Sequence, residues 1–304
     1  MKSLKEIIKE SLVIEAADNK TKQLAKDWVK NYFQKSSGRV KIDQDKKSGD
    51  VIITYIQPNA WVKLKDAPSL PENIKLNVEC KDFYLYGVTG ENFLSNFDTI
   101  NINGALYINY SDISLGSPAN KSFIADLSVY NEASIKPSKI DNLSIYAVYV
   151  NGNCEDLSQF KKAGVKEMIL NASSSKYNLD GLDLNKLNIT SAGSKQKKGK
   201  VELSGNYKVS NLYVYRTEVE GELPKTVDVL CDNFGTTIQG IDKIGTFRMA
   251  ILNHSEYIEN FNDVFSKASK FEEYQAPNKE IPRHEAIKRF NAMKEGTRYQ
   301  LGLW

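Results

Sequence analysis

Histidine and cysteine are the residue types most often used for catalysis and metal binding, and both are scarce in this chain. The two histidines, His254 and His284, are thirty residues apart, and neither has a second ligand at the spacing of a metal site. Cys231 follows an apolar run, which is typical of a buried thiol without a chemical role. There is no nucleophile elbow, phosphate loop or paired zinc ligand. The sequence therefore predicts no catalytic residue, no metal site and no cofactor.

Tyrosine is the one abundant residue type that suggests a binding role. The chain has 16 tyrosines, and many lie in or beside short apolar runs. Residues i and i+2 of a strand point to the same face, so these tyrosines can share a face that suits a protein partner or a glycan. The high strand propensity of tyrosine explains the same pattern without any binding role. The predicted binding face consists of Tyr107, Tyr130, Tyr146, Tyr213 and Tyr215.

The elements that must position these tyrosines are apolar runs that recur from about Asn73 to Ser255. Their centres are separated by 16 to 27 residues, which is typical of the coils of a solenoid. Each run is too short to fold alone, but a parallel stack buries the inward side chains of each run against its neighbours. The run centres are Leu76, Asn101, Ser128, Ser144, Ile169, Asn188, Tyr213, Val229 and Met249.

Two of the connections between runs have helix-like apolar spacing, at residues 155–163 and 257–267. Residues 160–171 read as a return helix, a glycine stop and a strand ending in Asn171, which resembles a leucine-rich repeat. The predicted fold class is a β-rich α/β fold: a leucine-rich-repeat-like solenoid with irregular coils of about 20–25 residues. It is capped by a small α+β N-terminal module and a C-terminal helix. A β-sandwich of short strands is the alternative.

The sequence divides into four predicted segments. A helical pattern at about 19–33 precedes two strand-like runs around a polar turn, and two prolines within 67–71 then interrupt helix and sheet. Near the end of the chain, apolar residues at helical spacing precede an apolar tail. The segments are an amphipathic leader at 1–18, a small α+β N-terminal cap at 19–66, a repeat solenoid at 67–276, and a C-terminal helix and apolar tail at 277–304.

Composition indicates an ordinary folded protein. The 304 residues are 41% hydrophobic and 26% charged, enough apolar sequence to bury a substantial core. No stretch approaches the ~18 apolar residues of a membrane span, so no membrane partner is predicted. The odd number of unpaired cysteines favours a reducing cytoplasm. The one lysine cluster, at 195–200, has no interleaved aromatic residues, so nucleic-acid binding is not predicted either.

The first fifteen residues carry a resemblance. Residues 1–11 form a short amphipathic pattern beginning Met-Lys, and Ile8-Lys9-Glu10 is followed by the small Ser11. This resembles the capsid-targeting leader of internal head proteins of large contractile-tailed bacteriophages, which ends at a cleavage site of Leu or Ile, any residue, then Glu. The resemblance implies cleavage after Glu10 and packaging in the virion.

The sequence therefore predicts a non-enzymatic, virion-associated or internal head protein of a bacteriophage that acts through a solenoid binding surface. Its partner would be a capsid or host protein, and its location the host cytoplasm or the virion. The alternative is a cytoplasmic repeat-type binding module that sequesters a host protein during infection. An enzyme whose site is assembled from residues distant in sequence is a third hypothesis.

Overall fold

The structure is a computed structural model that describes residues 19–171, 176–191, 199–215, 217–232, 237–249, 261–273 and 278–294. The chain divides into two compact units, Met1–Tyr146 and Ala147–Trp304. The division falls within one strand, and each unit is described by itself. No described helix is long and apolar enough to cross a membrane.

Unit 1 is built mainly from long parallel strands. Its elements are helix α1 (19–32), β1 (Phe33–Lys35), β2 (Arg39–Gln44), β3 (Val51–Lys65), β4 (Ile74–Tyr86), β5 (Thr89–Gly90), a 3-10 helix (Phe93–Asn96), β6 (Phe97–Asn109), β7 (Asp112–Ser114), β8 (Ser122–Tyr130), β9 (Ser134–Lys136) and the start of β10 (Leu143–Val150). Strands β3, β4, β6 and β8 pair in parallel in that order. The short strands β5, β7 and β9 form a second parallel sheet. Unit 1 is therefore a β-solenoid.

Unit 2 repeats this plan with shorter strands. After the end of β10 it contains a 3-10 helix (Leu157–Ala163), β11 (Glu167–Asn171), β12 (Lys176–Asn178), β13 (Asp183–Thr190), β14 (Gly199–Ser204), β15 (Lys208–Tyr215), β16 (Thr217–Gly221), β17 (Thr226–Asp232), a 3-10 helix (Thr237–Gly240), β18 (Lys243–Met249), α2 (Phe261–Lys267), β19 (Ala268–Glu273), β20 (Lys279–Ile281) and α3 (Arg283–Lys294). Strands β10, β11, β13, β15, β17, β18 and β19 pair in parallel in that order. Strands β12, β14 and β16 form its second sheet.

The core of each unit is a set of columns in which equivalent inward residues stack from coil to coil. In unit 1, Ile53, Leu76 and Phe97 are register partners and have no exposed surface. One column of unit 2 consists of Met168, Leu187, Leu212, Leu230, Phe247 and Phe271, all buried. Each such side chain contributes about 1.5–3 kcal/mol by leaving water, so the repetition of inward apolar residues stabilises the stack.

Polar side chains also stack at the corners. In unit 1 the Asn131 amide donates to Asn109 Oδ1 at 2.9 Å, one coil away. In unit 2 the Asn171 amide makes the same bond to Asn151 Oδ1, also at 2.9 Å. Because every coil must satisfy the polar groups of its turns, these bonds between equivalent turn residues link neighbouring coils.

Both described sheet ends are covered by short antiparallel strands. Strands β1 and β2 pair with β3, and β20 pairs with β19. Helix α3 is attached to β19 by an ion pair of 3.1 Å between Arg289 and Glu273, both largely buried. These additions occupy edge positions that would otherwise be free to pair with other chains.

The structure confirms a β-rich solenoid, and its parallel pairing makes the sandwich alternative wrong. The predicted run centres Ile169, Asn188 and Tyr213 are true register partners. The return predicted as a helix at 155–163 is a 3-10 helix, Leu157–Ala163, which ends at Gly164. The helix predicted at 257–267 is described as Phe261–Lys267.

Two details of the N-terminal segment differ from expectation. Strand β3 pairs in parallel with β4, so residues 51–64, predicted to belong to the cap, lie in the sheet of the solenoid. Leu24, which apolar spacing places on the buried side of the helix predicted at 19–33, is 47% exposed, whereas Ala25 and Trp28 are buried. The bounds of the four predicted segments stay a prediction.

Candidate binding surface

The outward face of unit 1 carries a line of aromatic rings, here called the aromatic stripe: Trp61, Tyr84, Tyr107 and Tyr130. The centroids of the Tyr84 and Tyr107 rings are 4.5 Å apart, and the ring planes differ by 13°. Tyr107 and Tyr130 stack at 6.2 Å and 25°, and Trp61 meets Tyr84 edge-on at 6.4 Å. The stripe therefore crosses β3, β4, β6 and β8, one ring on each strand.

Strand periodicity explains why these rings point outwards. In β4, Phe83 and Leu85 are inward and fully buried, so Tyr84 and Tyr86 must lie on the opposite face. Tyr84 and Tyr107 are direct register partners. Neighbouring strands are about 4.8 Å apart, which is close to the separation of two stacked rings. The sheet thus holds the two tyrosines at stacking distance.

An acidic row lies beside the stripe. Trp61 is the register partner of Asp82, and Ala105 is the register partner of Asp126. Asp82 Oδ1 accepts a hydrogen bond of 3.0 Å from the Ala105 amide. The row therefore runs Trp61, Asp82, Ala105, Asp126, with one carboxylate on each side of the small Ala105.

Aligned β-bulges produce this arrangement. The pairing register shifts between Gln57 and Trp61 in β3, between Cys80 and Phe83 in β4, and between Ile102 and Ala105 in β6. A bulge re-aims the side chains next to it. Since the three shifts fall at one level of the sheet, the acidic row and the stripe follow directly after them.

The pKa values of the two central tyrosines are raised. Partial burial, and then the charge of Asp82, raises the pKa of the Tyr84 hydroxyl. For Tyr107, burial is again the largest cause, and Asp82, Tyr130 and Asp126 raise the pKa further. The carboxylates therefore contribute to the electrostatic surroundings of both hydroxyl groups.

A lysine of unit 1 lies over an outward ring. The Lys63 ammonium lies 4.3 Å from the centroid of the Tyr86 ring. Tyr86 also meets Tyr110 edge-on at 5.2 Å. Trp61 is 41% and Tyr110 50% exposed, so these two rings leave a substantial aromatic area in contact with solvent.

The outward tyrosine of unit 2 has very different neighbours. Arg248 Nη1 donates to the Tyr213 hydroxyl at 2.7 Å, and the guanidinium lies 5.9 Å from the ring centroid. The same guanidinium donates to Glu272 from Nε at 3.1 Å and from Nη2 at 2.9 Å. The Lys186 ammonium lies 5.6 Å from the ring centroid. Tyr213 also stacks on Tyr215 at 6.5 Å.

The predicted site residues thus lie in two groups. Tyr107 and Tyr130 belong to the stripe of unit 1, and Tyr146, also in unit 1, is 48% exposed. Tyr213 and Tyr215 belong to unit 2. The predicted cleavage site of Ile8, Lys9, Glu10 and Ser11 lies outside the described residues, as does His254. Whether the five tyrosines bind a partner stays a prediction.

Sequence reasoning missed Trp61 and the two aspartates. Trp61 was assigned to the cap, although Trp61-Val-Lys-Leu64 alternates like the later coils. Aligning that run with 82–85 would have placed Trp61 opposite Asp82. Asp126 had no sequence signal, since a lone aspartate before an apolar run is common.

The three cysteines are free and buried, as expected for Cys231. Burial, followed by the charge of a neighbouring aspartate, raises the pKa of the Cys80 and Cys154 thiols to about 12. These thiols therefore stay protonated at neutral pH and are poor nucleophiles. Within the described ranges, no three His, Cys, Asp or Glu side chains group as metal ligands.

Comparison with known proteins gives no match: no protein-family model, curated protein or solved structure is similar to this chain.

Proposed function

We propose that this chain is a non-enzymatic binding protein and that the aromatic stripe of unit 1, with the acidic row beside it, is its binding surface for a protein partner. The observation that carries the proposal is the pre-stacked line of four rings on one face: the exposed Trp61 and the half-buried Tyr84, Tyr107 and Tyr130. Aromatic residues dominate the binding energy of protein interfaces. The sheet fixes these rings in advance, which reduces the entropy lost on binding.

The stacking also favours a protein over a glycan. A sugar ring packs on an open aromatic face, but Tyr84 and Tyr107 cover each other's faces at 4.5 Å. What such a stack offers to a partner is ring edges and hydroxyl groups. These suit the mixed polar and apolar contacts of a protein surface.

The proposed setting is a large contractile-tailed bacteriophage, with the protein made in the host cytoplasm and packaged in the virion by a cleaved leader. This part of the proposal rests on the leader resemblance at Ile8, Lys9, Glu10 and Ser11. The description as leucine-rich-repeat-like rests on the 3-10 return, Gly164 stop and strand ending in Asn171. Both remain proposals.

Photo-crosslinking tests the binding surface. A photoreactive phenylalanine analogue placed at Trp61 in infected cells is expected to trap one defined protein. The same analogue at Lys208, an exposed strand position of unit 2, is the control and should trap none. Equal trapping from both positions, or none from Trp61, would refute the stripe as the binding surface.

Mass spectrometry of purified particles tests the setting. The expected result is a chain in mature heads that begins at Ser11. Absence from the particles would refute packaging and, if crosslinking at Trp61 succeeds, would leave the sequestration of a host protein as the function. A chain in mature heads that retains Met1 would refute the cleavage site.

A further inference from the structure

We infer that unit 2 carries a second binding site, a cleft for a small zwitterion: a free α-amino acid with an apolar side chain. The inference goes beyond the proposed function, because none of the residues that line this cleft belongs to the aromatic stripe and its ligand is a small molecule.

The cleft lies where successive coils of unit 2 turn. It is lined by residues 205–207 after β14, residues 221–225 between β16 and β17, and Gly240 at the end of a 3-10 helix. Its volume is about 480 Å³, which is within the range of small-molecule sites. Three turns of the solenoid therefore supply its walls.

Two glycines allow these turns to approach each other closely. Gly221 has a φ of +94°, and a Cβ there would clash with the carbonyl oxygen of Leu203 in the neighbouring coil. A Cβ on Gly240 would clash with the side chain of Leu223. Leu223 therefore packs against the next coil, and together with the buried Pro224 it forms the apolar part of the cleft.

Two opposite charges line the cleft without pairing. Glu222 and Lys225 are both exposed, and neither forms an ion pair with the other or with any further residue that the structure describes. The Gly205 amide donates to Glu222 Oε2 at 2.5 Å and so positions the carboxylate. A cleft with one free carboxylate and one free ammonium is complementary to a ligand that carries both charges.

The hydroxyl of Tyr207 is a third group without a partner. Tyr207 lines the cleft and is 6% exposed, and its hydroxyl makes no hydrogen bond within the described part of the chain. Burial, and then the charge of Glu222, raises the pKa of this hydroxyl, so it stays protonated at neutral pH and can donate. Buried polar groups are nearly always hydrogen-bonded, so an unpaired hydroxyl in the wall of a cleft points to a polar ligand.

The same groups disfavour other classes of small ligand. The carboxylate of Glu222 repels phosphates and other anions, and the ammonium of Lys225 repels simple cations. A sugar packs on an open aromatic face, but Tyr207, the one ring among the described residues that line the cleft, is buried. An amino acid can place its ammonium against Glu222 and its carboxylate against Lys225. Its apolar side chain then contacts Leu223 and Pro224.

Calorimetric titration of the full chain with three probes tests the inference. L-leucine carries both charges, N-acetyl-L-leucine carries only the carboxylate, and L-leucinamide carries only the ammonium. We expect L-leucine to bind and each blocked form to bind about tenfold more weakly, the equivalent of one charge-assisted hydrogen bond.

Two substitutions assign each charge of the ligand to its partner. Glu222→Gln should weaken the binding of L-leucine about tenfold and leave that of N-acetyl-L-leucine unchanged, because this probe has no ammonium. Lys225→Met should weaken L-leucine by a similar factor and leave L-leucinamide unchanged, because that probe has no carboxylate. The matched controls are Glu280→Gln and Lys270→Met at exposed strand positions of unit 2, which should leave all three dissociation constants unchanged. Melting curves verify that the variants are folded.

The outcomes separate the inference from the proposed function. No binding of L-leucine, equally tight binding of the blocked forms, or equal effects of the cleft and control variants would overturn the inference. In that case the aromatic stripe is unaffected, because its own test is crosslinking at Trp61. If crosslinking at Trp61 fails while L-leucine binds in the expected way, the cleft stands as a binding site and the stripe does not.

Discussion

Tyr107 in unit 1 and Tyr213 in unit 2 each lie at an outward position of a parallel strand, but their neighbours differ. Around Tyr213 the chain supplies the arginine, the lysine and the carboxylate that complete the cluster. Around Tyr107 it supplies a stacked tyrosine and carboxylates, and no described cation covers the ring. A tyrosine whose hydroxyl is bonded internally stabilises the fold, whereas the proposed binding surface uses one whose hydroxyl has no hydrogen bond among the described residues.

The largest expected effect concerns the interiors, where the two units should behave alike. The Cys80 thiol of unit 1 and the Cys154 thiol of unit 2 each have a pKa raised to about 12, mainly by burial. The unfolded chain loses these protons at about pH 9. The stability that each thiol contributes is therefore fully present below about pH 9 and is lost as the pH rises toward 12. Chemical denaturation at rising pH should show a steep loss in the free energy of unfolding.

Substitution of either thiol checks this account. Cys80→Ala and Cys154→Ala should each make the alkaline loss of stability less steep, and by similar amounts. If neither variant changes the slope, the thiols do not ionise on unfolding as described. If only one variant changes the slope, burial raises the thiol pKa in one unit and not in the other.

The next prediction concerns the arginine cluster on the outward face of unit 2. Arg248→Met should lower the free energy of unfolding by about 2 kcal/mol, because it leaves the largely buried Glu272 without its partner. Lys186→Met, which removes a longer and weaker contact to the same ring, should cost less than about 0.5 kcal/mol. Urea denaturation measures both. Similar losses would mean that the arginine cluster is not a specific stabilising element.

A matched tyrosine pair compares the two units directly. Tyr213→Phe removes the acceptor of the Arg248 bond and should cost about 1–2 kcal/mol. Tyr107→Phe removes a hydroxyl with no hydrogen bond among the described residues and should change stability by less than about 0.5 kcal/mol. Equal costs would contradict the assignment of one tyrosine to the fold and the other to binding.

The smallest expected effect is that of Asp82→Asn without any ligand. The free energy of unfolding should change by no more than about 0.5 kcal/mol, because the amide oxygen can still accept from Ala105. Circular dichroism melting checks it. A loss above about 2 kcal/mol would show that the carboxylate serves the fold, and the comparison between the two units would then fail.

The sequence predicted much of the fold because coils repeat the same physical requirement. Inward apolar residues and turn glycines recur at coil length, and this spacing placed Ile169, Asn188 and Tyr213 in register. The last described helix spans Arg283–Lys294, where its apolar spacing predicted a helix. Local patterns such as these can be recognised in the sequence without knowledge of the rest of the fold.

The site was less predictable because it depends on relations between coils. Tyr84 stacks on Tyr107 only because the bulges shift the register at one level of three strands. Arg248 binds Tyr213 from 35 residues away, a pairing set by the lengths of the intervening connections. No local pattern distinguishes the tyrosine that receives an arginine from the one that does not.

Fluorine NMR of the protein labelled with fluorotyrosine tests the central claim most directly. The 16 tyrosines are distinguished by single Tyr→Phe variants, and the protein trapped by crosslinking at Trp61 is the added ligand. The account predicts that the Tyr84 and Tyr107 resonances shift on titration and saturate together, while the Tyr213 resonance stays in place. Unchanged Tyr84 and Tyr107 resonances, or an equal shift of Tyr213, would contradict it.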